Sequence, residues 1–230
     1  MIAIILAAGR GARMAPLTDN IPKPMLSVLG KNLIEWKLEA LPDTVTSIII
    51  LVGYKGEVIR EYFGDAWNGI PITYITQTAL NGTGGAIELC KDYIHDKALV
   101  MMGDDIYSKD DLASLALHNF ALLAQDKGEE AGTATGGKII ARDGYFIGLN
   151  EGLSQTGRAS TLINTGAYTL SPEYFTYEKV KVSDTEYGLP NTLVSVAHDH
   201  PVTLVQATTW IQITTPECLQ RAEKILSHSH

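Results

Sequence analysis

The chain has 230 residues and a formal net charge of −8. That length suffices for one α/β domain with a sizeable core, and the negative charge argues against nucleic acid bound through a broad basic surface. Cys90 and Cys218 show neither metal-site spacing nor a disulfide framework, no apolar run is long enough to span a membrane, and the opening residues lack the basic start of a signal peptide, so a cytoplasmic protein with no membrane partner is expected.

The apolar run Ile2 to Leu6 predicts a buried strand that delivers a loop containing Gly9 and Gly11 to a sheet edge. Two cations follow, Arg13 and Lys23, the second framed by Pro22 and Pro24. Glycines let backbone N–H groups approach a ligand closely, and the prolines hold their segment extended or turned. A triphosphate is the ligand that needs these features together. Met14 stands where a dinucleotide fingerprint wants Gly or Ala, and the Gly-Lys-Ser/Thr ending of a P-loop is absent.

Apolar residues from Leu33 to Leu41 recur at helical spacing, with Pro42 as a stop. Ser47 to Val52 reads as a strand, Glu57 to Phe63 as a helix ending at Gly64, and Ile72 to Thr76 as another strand. This order predicts a parallel sheet with helices on both faces and a ligand beyond the carboxyl ends of the strands. Gln77 precedes a turn with Gly82, Gly84 and Gly85, and Ala86 onward reads as a helix. Gln77 can pair with a base edge, since its amide both donates and accepts, or it can be a surface residue before a capping loop. Ala98 to Met102 is a further buried strand, broken by Gly103. Asp104 and Asp105 stand at its carboxyl end, where a carboxylate can hold magnesium or serve as a cap or turn residue.

Residues 110–125 read as one amphipathic helix carrying Leu112, Leu115, Ala116, Leu122 and Leu123. Lys127 to Glu130 read as a solvated turn. Short runs at Thr133, Ile139 to Ala141 and Tyr145 to Leu149 follow, then a polar loop from Gly152 to Arg158. A strand through Ile163 to Tyr168 leads to a helix start with Ser171 as N-cap and Pro172 at its first position. His198 and His200 flank Asp199 in a turn, Thr215 and Pro216 start a last helix, and His228 and His230 belong to a frayed terminus.

The string LAAGRGARMAPLT followed by PKPML resembles the sugar-phosphate nucleotidyltransferases, which make nucleoside-diphosphate sugars from an NTP and a sugar 1-phosphate. The resemblance runs from Leu6 to Leu219 and is densest in residues 6–26. It implies a Rossmann-like, three-layer α/β sandwich of the GT-A-like type with a mostly parallel central sheet. It also implies one domain over residues 1–230, with a nucleotide half to about residue 130 and an acceptor half after it. The nucleotide would be held by Leu6, Ala7, Ala8, Gly9, Gly11, Arg13, Lys23, Gln77, Gly82 and Asp104. Arg13, Lys23 and Asp104 would act in the reaction, with Mg²⁺ on Asp104. The acceptor would meet Glu151, Asn164, Thr165 and Glu186.

Two departures stand out. Gly152 and Leu153 follow Glu151 where the family has Lys-Pro, and Gln212 occupies the place of the second metal aspartate. The first motivates a rival reading, a cytidylyltransferase for a non-sugar phosphate such as phosphocholine. Both together motivate a catalytically impaired relative that only binds a nucleotide sugar. Gly103-Asp104-Asp105 also resembles the metal motif of glycosyltransferases that consume nucleotide sugars, but those have no use for the lysine between two prolines.

Overall fold

The structure, a computed structural model, describes residues 1–128, 137–149 and 161–227. Strand β1 (Ile2–Ala7) is buried along its whole length and sends alternate side chains to opposite faces. Small strands β2 (Ser27–Val28) and β3 (Lys31–Asn32) then lead into α1 (Leu33–Glu39). Helix α1 starts where it does because Asn32 and Glu35 form a capping box, each side chain accepting from the other's backbone N–H at 2.9 and 2.7 Å. The next units are β4 (Ser47–Val52), α2 (Gly56–Phe63) and β6 (Ile70–Thr76), close to the predicted limits, with a short strand β5 (Ala66–Trp67) before β6 that was not expected.

After α3 (Gly82–Glu88) come β7 (Ala98–Met102), β8 (Asp105–Tyr107) and α4 (Lys109–Ala116). Helix α3 begins four residues earlier than expected and takes the glycines into its first turn. The predicted long helix over 110–125 is instead α4 followed by strand β9 (Ala121–Asp126). The reason is packing. Phe120 to Ala124 is buried on both sides, and so short an apolar run carries no period that separates strand from helix.

The rest comprises β10 (Ile139–Arg142), β11 (Tyr145–Leu149), β12 (Leu162–Leu170), α5 (Leu189–Val196), β13 (Thr203–Gln206), β14 (Trp210–Gln212) and α6 (Pro216–Ser227). The helix expected at Pro172 is a 3-10 turn, Pro172–Thr176, and the Ser171 hydroxyl bonds the Glu173 carboxylate rather than capping it.

Ten strands form one sheet in the order β10-β11-β13-β9-β12-β7-β1-β4-β6-β5. Strands β6, β4, β1, β7, β9, β13 and β10 run one way; β5, β12 and β11 run the other. One apolar layer joins Ala3, Ile5 and Ala7 to α1, α2 and α4 through Ile34, Ile59 and Leu112. The other joins Ile2, Ile4 and Leu6 to α3 and α5 through Ile87 and Leu193. The result is the predicted three-layer, mostly parallel α/β sandwich. A smaller cluster, including Met14, Leu33, Ile106, Ile213 and Ala222, ties the first loop to α6. Among the described residues no helix is long and apolar enough to cross a membrane.

Candidate active site

A cleft of about 300 Å³ opens beyond the carboxyl ends of β1 and β7. From the predicted set its walls hold Leu6, Ala7, Gly9, Gly11, Arg13, Lys23 and Asp104. The loop that forms one wall is shaped from below. Gly11 sits in the left-handed region at φ +68, and a Cβ there would lie 2.6 Å from the Lys23 Cβ. Thr18 Oγ1 donates to the Gly11 carbonyl, and Met14 is fully buried, so the short 3-10 turn Ala12–Met14 aims Arg13 at the cleft. Gly9 has open space where its Cβ would be. Ala8 is buried and not among the lining residues, and its carbonyl accepts the Tyr54 N–H.

Lys23 stands in a second 3-10 turn, Lys23–Met25, entered from extended Pro22. Its Nζ lies 2.5 Å from Asp104 Oδ2. The lysine side chain is 9% exposed and the aspartate 32%, so the pair sits at the cleft wall with the carboxylate on the wetter side. Asp105, the next residue, is buried and is neither a cap nor a turn residue. It opens β8 and accepts the Trp210 indole N–H at 3.0 Å. Burial, with the Asp104 charge adding to it, pushes the Asp105 carboxyl up to about 7. Asp111 on α4 accepts the N–H groups of Thr208 and Thr209, which sets where β14 begins. In the β14–β8 ladder Gln212 then lies opposite Asp105, next to Asp104, and Thr214 reaches the cleft.

The other predicted residues are off these walls. Gln77 is buried at the end of β6, its Nε2 donating to Asn81 Oδ1 at 3.2 Å. Gly82, at φ +81, is needed by the chain itself, because a Cβ there would lie 2.4 Å from the Tyr187 carbonyl oxygen. Backbone bonds Tyr187 N–H to Asn81 O and Gly84 N–H to Tyr187 O fasten this turn to residues 186–188. Exposed Glu186 lies beside it. Asn164 and Thr165 sit in a register shift of β12, and their polar atoms are engaged internally. The Asn164 amide donates to the Tyr168 hydroxyl and accepts the Gly166 N–H, while the Thr165 hydroxyl donates to the Leu123 carbonyl. Glu151, the Gly152 to Arg158 loop, Thr133, His228 and His230 lie outside the described residues.

A nucleotidyl transferase family profile matches residues 2–143. The chain belongs to the nucleotidyl transferase family. It is 35% identical to the bifunctional protein GlmU of Methanocaldococcus jannaschii over 80% of this chain and 43% of that one. It is 30% identical to the UTP–glucose-1-phosphate uridylyltransferase AglF of Haloferax volcanii, over 76% of this chain and 74% of the relative. The chain thus spans less than half the length of the GlmU relatives. A UDP-glucose pyrophosphorylase solved with UDP-glucose shares the fold, with a TM-score of 0.81, 21% identity and coverage of 100% of this chain and 99% of that one.

For a nucleotidyl transferase, the site contains groups that the sequence reading passed over. Met102, Pro24 and Thr214 line the cleft. Lys37 is fully buried below it. A signal for Lys37 exists: it falls four residues after Leu33 and three after Ile34, on the apolar face of α1, where a lysine needs a reason. His198 and His200 belong to no group of three or more His, Cys, Asp or Glu side chains placed to hold a metal among the described residues. His200 packs instead near Phe120, with ring centres 5.3 Å apart.

Proposed function

We propose that the chain transfers a nucleotidyl group from an NTP to a sugar 1-phosphate, giving a nucleoside-diphosphate sugar and pyrophosphate, and that one domain does so. The observation that carries this reading is the Lys23–Asp104 pair, at 2.5 Å, facing a glycine turn and Arg13 across one cleft. The unbroken sheet across both halves supports a single domain.

An oxygen of the acceptor phosphate attacks the α-phosphorus. The new P–O bond forms as the bond to the bridging oxygen breaks, and its electron pair leaves with pyrophosphate. The acceptor is already an anion at neutral pH, so no general base is needed. Such chemistry rests on positioning and charge stabilisation. Backbone N–H groups from Gly9 to Arg13 hold the triphosphate. Arg13 balances the departing pyrophosphate, and Lys23 the charge building on the α-phosphate. Gln77, with Gly82 beside it, reads the base, and Asn164, Thr165, Glu186 and Glu151 serve the acceptor.

Asp104, in the cleft wall, fits Mg²⁺, which takes oxygen ligands and often uses only one or two carboxylates beside phosphates and water, and Gln212 lies opposite the adjoining Asp105 in the β14–β8 ladder. An ion held there would supply positive charge to neutralise the substrate phosphates. Asp104 stands in the cleft wall, whereas Gln212, the ladder partner of its neighbour Asp105, would bring only a neutral oxygen. Gln212→Asp is therefore expected to lower the magnesium concentration for half-maximal rate. Wild-type saturation at micromolar magnesium, unchanged in the variant, would remove Gln212 from the site.

Pyrophosphate release across four NTPs and a panel of phosphorylated acceptors tests the activity. Turnover with a sugar 1-phosphate supports it. Turnover confined to CTP with phosphocholine favours the rival transferase, and nucleotide-sugar binding without any turnover favours the impaired relative.

A further inference from the structure

Lys37 is fully buried, and fully buried lysines are rare unless something holds the charge. Among the described residues no carboxylate lies within ion-pair distance of its Nζ. The ammonium donates to two backbone carbonyls instead, Leu33 O at 3.0 Å and Gly103 O at 3.1 Å. The first bond closes on its own helix. The second reaches the last peptide before Asp104. Burial pulls the lysine down, against the upward pull of the Asp105 and Asp104 charges, to about 8.

Gly103 is gripped from the other side as well. Its N–H donates to Leu6 O at 3.0 Å, and a Cβ would lie 2.7 Å from that oxygen and 3.0 Å from the Ala7 Cα. The end of β1 therefore fixes the amide before Gly103, and Lys37 fixes the carbonyl after it. That carbonyl belongs to the peptide plane whose nitrogen is that of Asp104. Rotation of this plane would swing the Asp104 side chain away from Lys23 and the cleft.

We propose that Lys37 is a positioning residue for nucleotidyl transfer, holding the Gly103–Asp104 peptide so that the Asp104 carboxylate faces Lys23 and the phosphates. This rests on the role given to Asp104 above. A purely structural lysine would make the same bonds, but its loss would cost stability and leave the chemistry of the folded molecules unchanged.

The test compares wild type with Lys37→Met, which keeps length and removes charge and donors, and Lys37→Gln, which keeps a donor. Three quantities are measured: pyrophosphate release per folded molecule, Mn²⁺ binding in the presence of NTP by electron paramagnetic resonance, and the crystal structure of each variant. Loss of an outer-shell support costs about 10–100-fold in metal affinity or rate. Lys37→Met is expected to lose that much in both, with the acceptor KM unchanged and Asp104 displaced in the crystal, and Lys37→Gln to lose less. Wild-type manganese affinity and wild-type turnover per folded molecule in either folded variant would overturn the proposal. If wild-type protein itself bound no Mn²⁺ with NTP, the nucleotidyl-transfer reading would fail, and the crystal structures would decide the positioning claim alone. An unmoved Gly103–Asp104 turn in both would defeat it.

Discussion

Two of the glycine turns at the carboxyl ends of parallel strands, those after β1 and β6, do opposite work. In the first, after β1, Gly9 faces open space and Gly11 presses on the Lys23 side chain. That turn is shaped toward the cleft. In the second, after β6, Gly82 and Gly84 make room for the Tyr187 backbone, and Gly85 for the Asn81 side chain. This turn is shaped toward the chain itself, and it is bonded to residues 186–188. Glycine content says that something comes close; only the fold says whether that is a ligand or another strand of the same protein.

The sharpest test of this contrast removes the charges that line the cleft beside the first turn. Lys23→Ala and Arg13→Ala are each expected to lower turnover about 10²–10³-fold while the fold persists, because in the proposed reaction each supplies a fixed charge aimed at a developing anion. Steady-state rates on protein with a native unfolding transition check this, and near-normal turnover in either variant would cancel that residue's role. Gly82→Ala is expected to destabilise the protein by about 1–3 kcal/mol in urea unfolding, since it forces a side chain into a left-handed position against the Tyr187 carbonyl. A stability equal to wild type would show that the second turn is not bolted to residues 186–188.

Gln77→Ala bears on what the second turn contributes to the ligand. Leaving a base edge unpaired costs about 1–3 kcal/mol, so discrimination among NTPs should blur while acceptor KM holds. A competition assay with unchanged base preference would confine Gln77 to its bond with Asn81. The smallest effect on stability is expected at Gly9→Ala, within about 0.5 kcal/mol, because nothing occupies the space a methyl would take. Calorimetric NTP titration of that variant should nevertheless show weaker binding; unchanged affinity would mean the triphosphate does not pass over Gly9.

How much of the site was legible depends on how local its causes are. The cleft residues from Leu6 to Lys23 follow each other closely and carry their own turn chemistry, so glycines, prolines and cations announce them. Asp104 is legible because a glycine breaks a buried strand just before it. Lys37 was passed over because its partner, Gly103 O, is 66 positions away in the chain. Gly82 and Asn164 are named by the sequence, but not what they touch: Gly82 meets the distant Tyr187 backbone, and the Asn164 amide is taken up by Tyr168 and Gly166 at the register shift in β12.

The sequence by itself determined the strands and helices whose apolar pattern is complete within a few residues: β1, β4, α2 and β7, and with them a parallel sheet with helices on both faces. It also determined the kind of loop that follows β1, since left-handed and fixed backbone positions are properties of Gly and Pro alone. Tertiary structure decided whether Phe120 to Ala124 is helix or strand, since both bury the same short run and only pairing with β12 and β13 settles it. It also decided that Gln212 lies opposite Asp105, and that a lysine sits fully buried against the Gly103 carbonyl. Those outcomes depend on hydrogen bonds and charges brought together from distant parts of the chain, and such energies do not exist until the chain has folded.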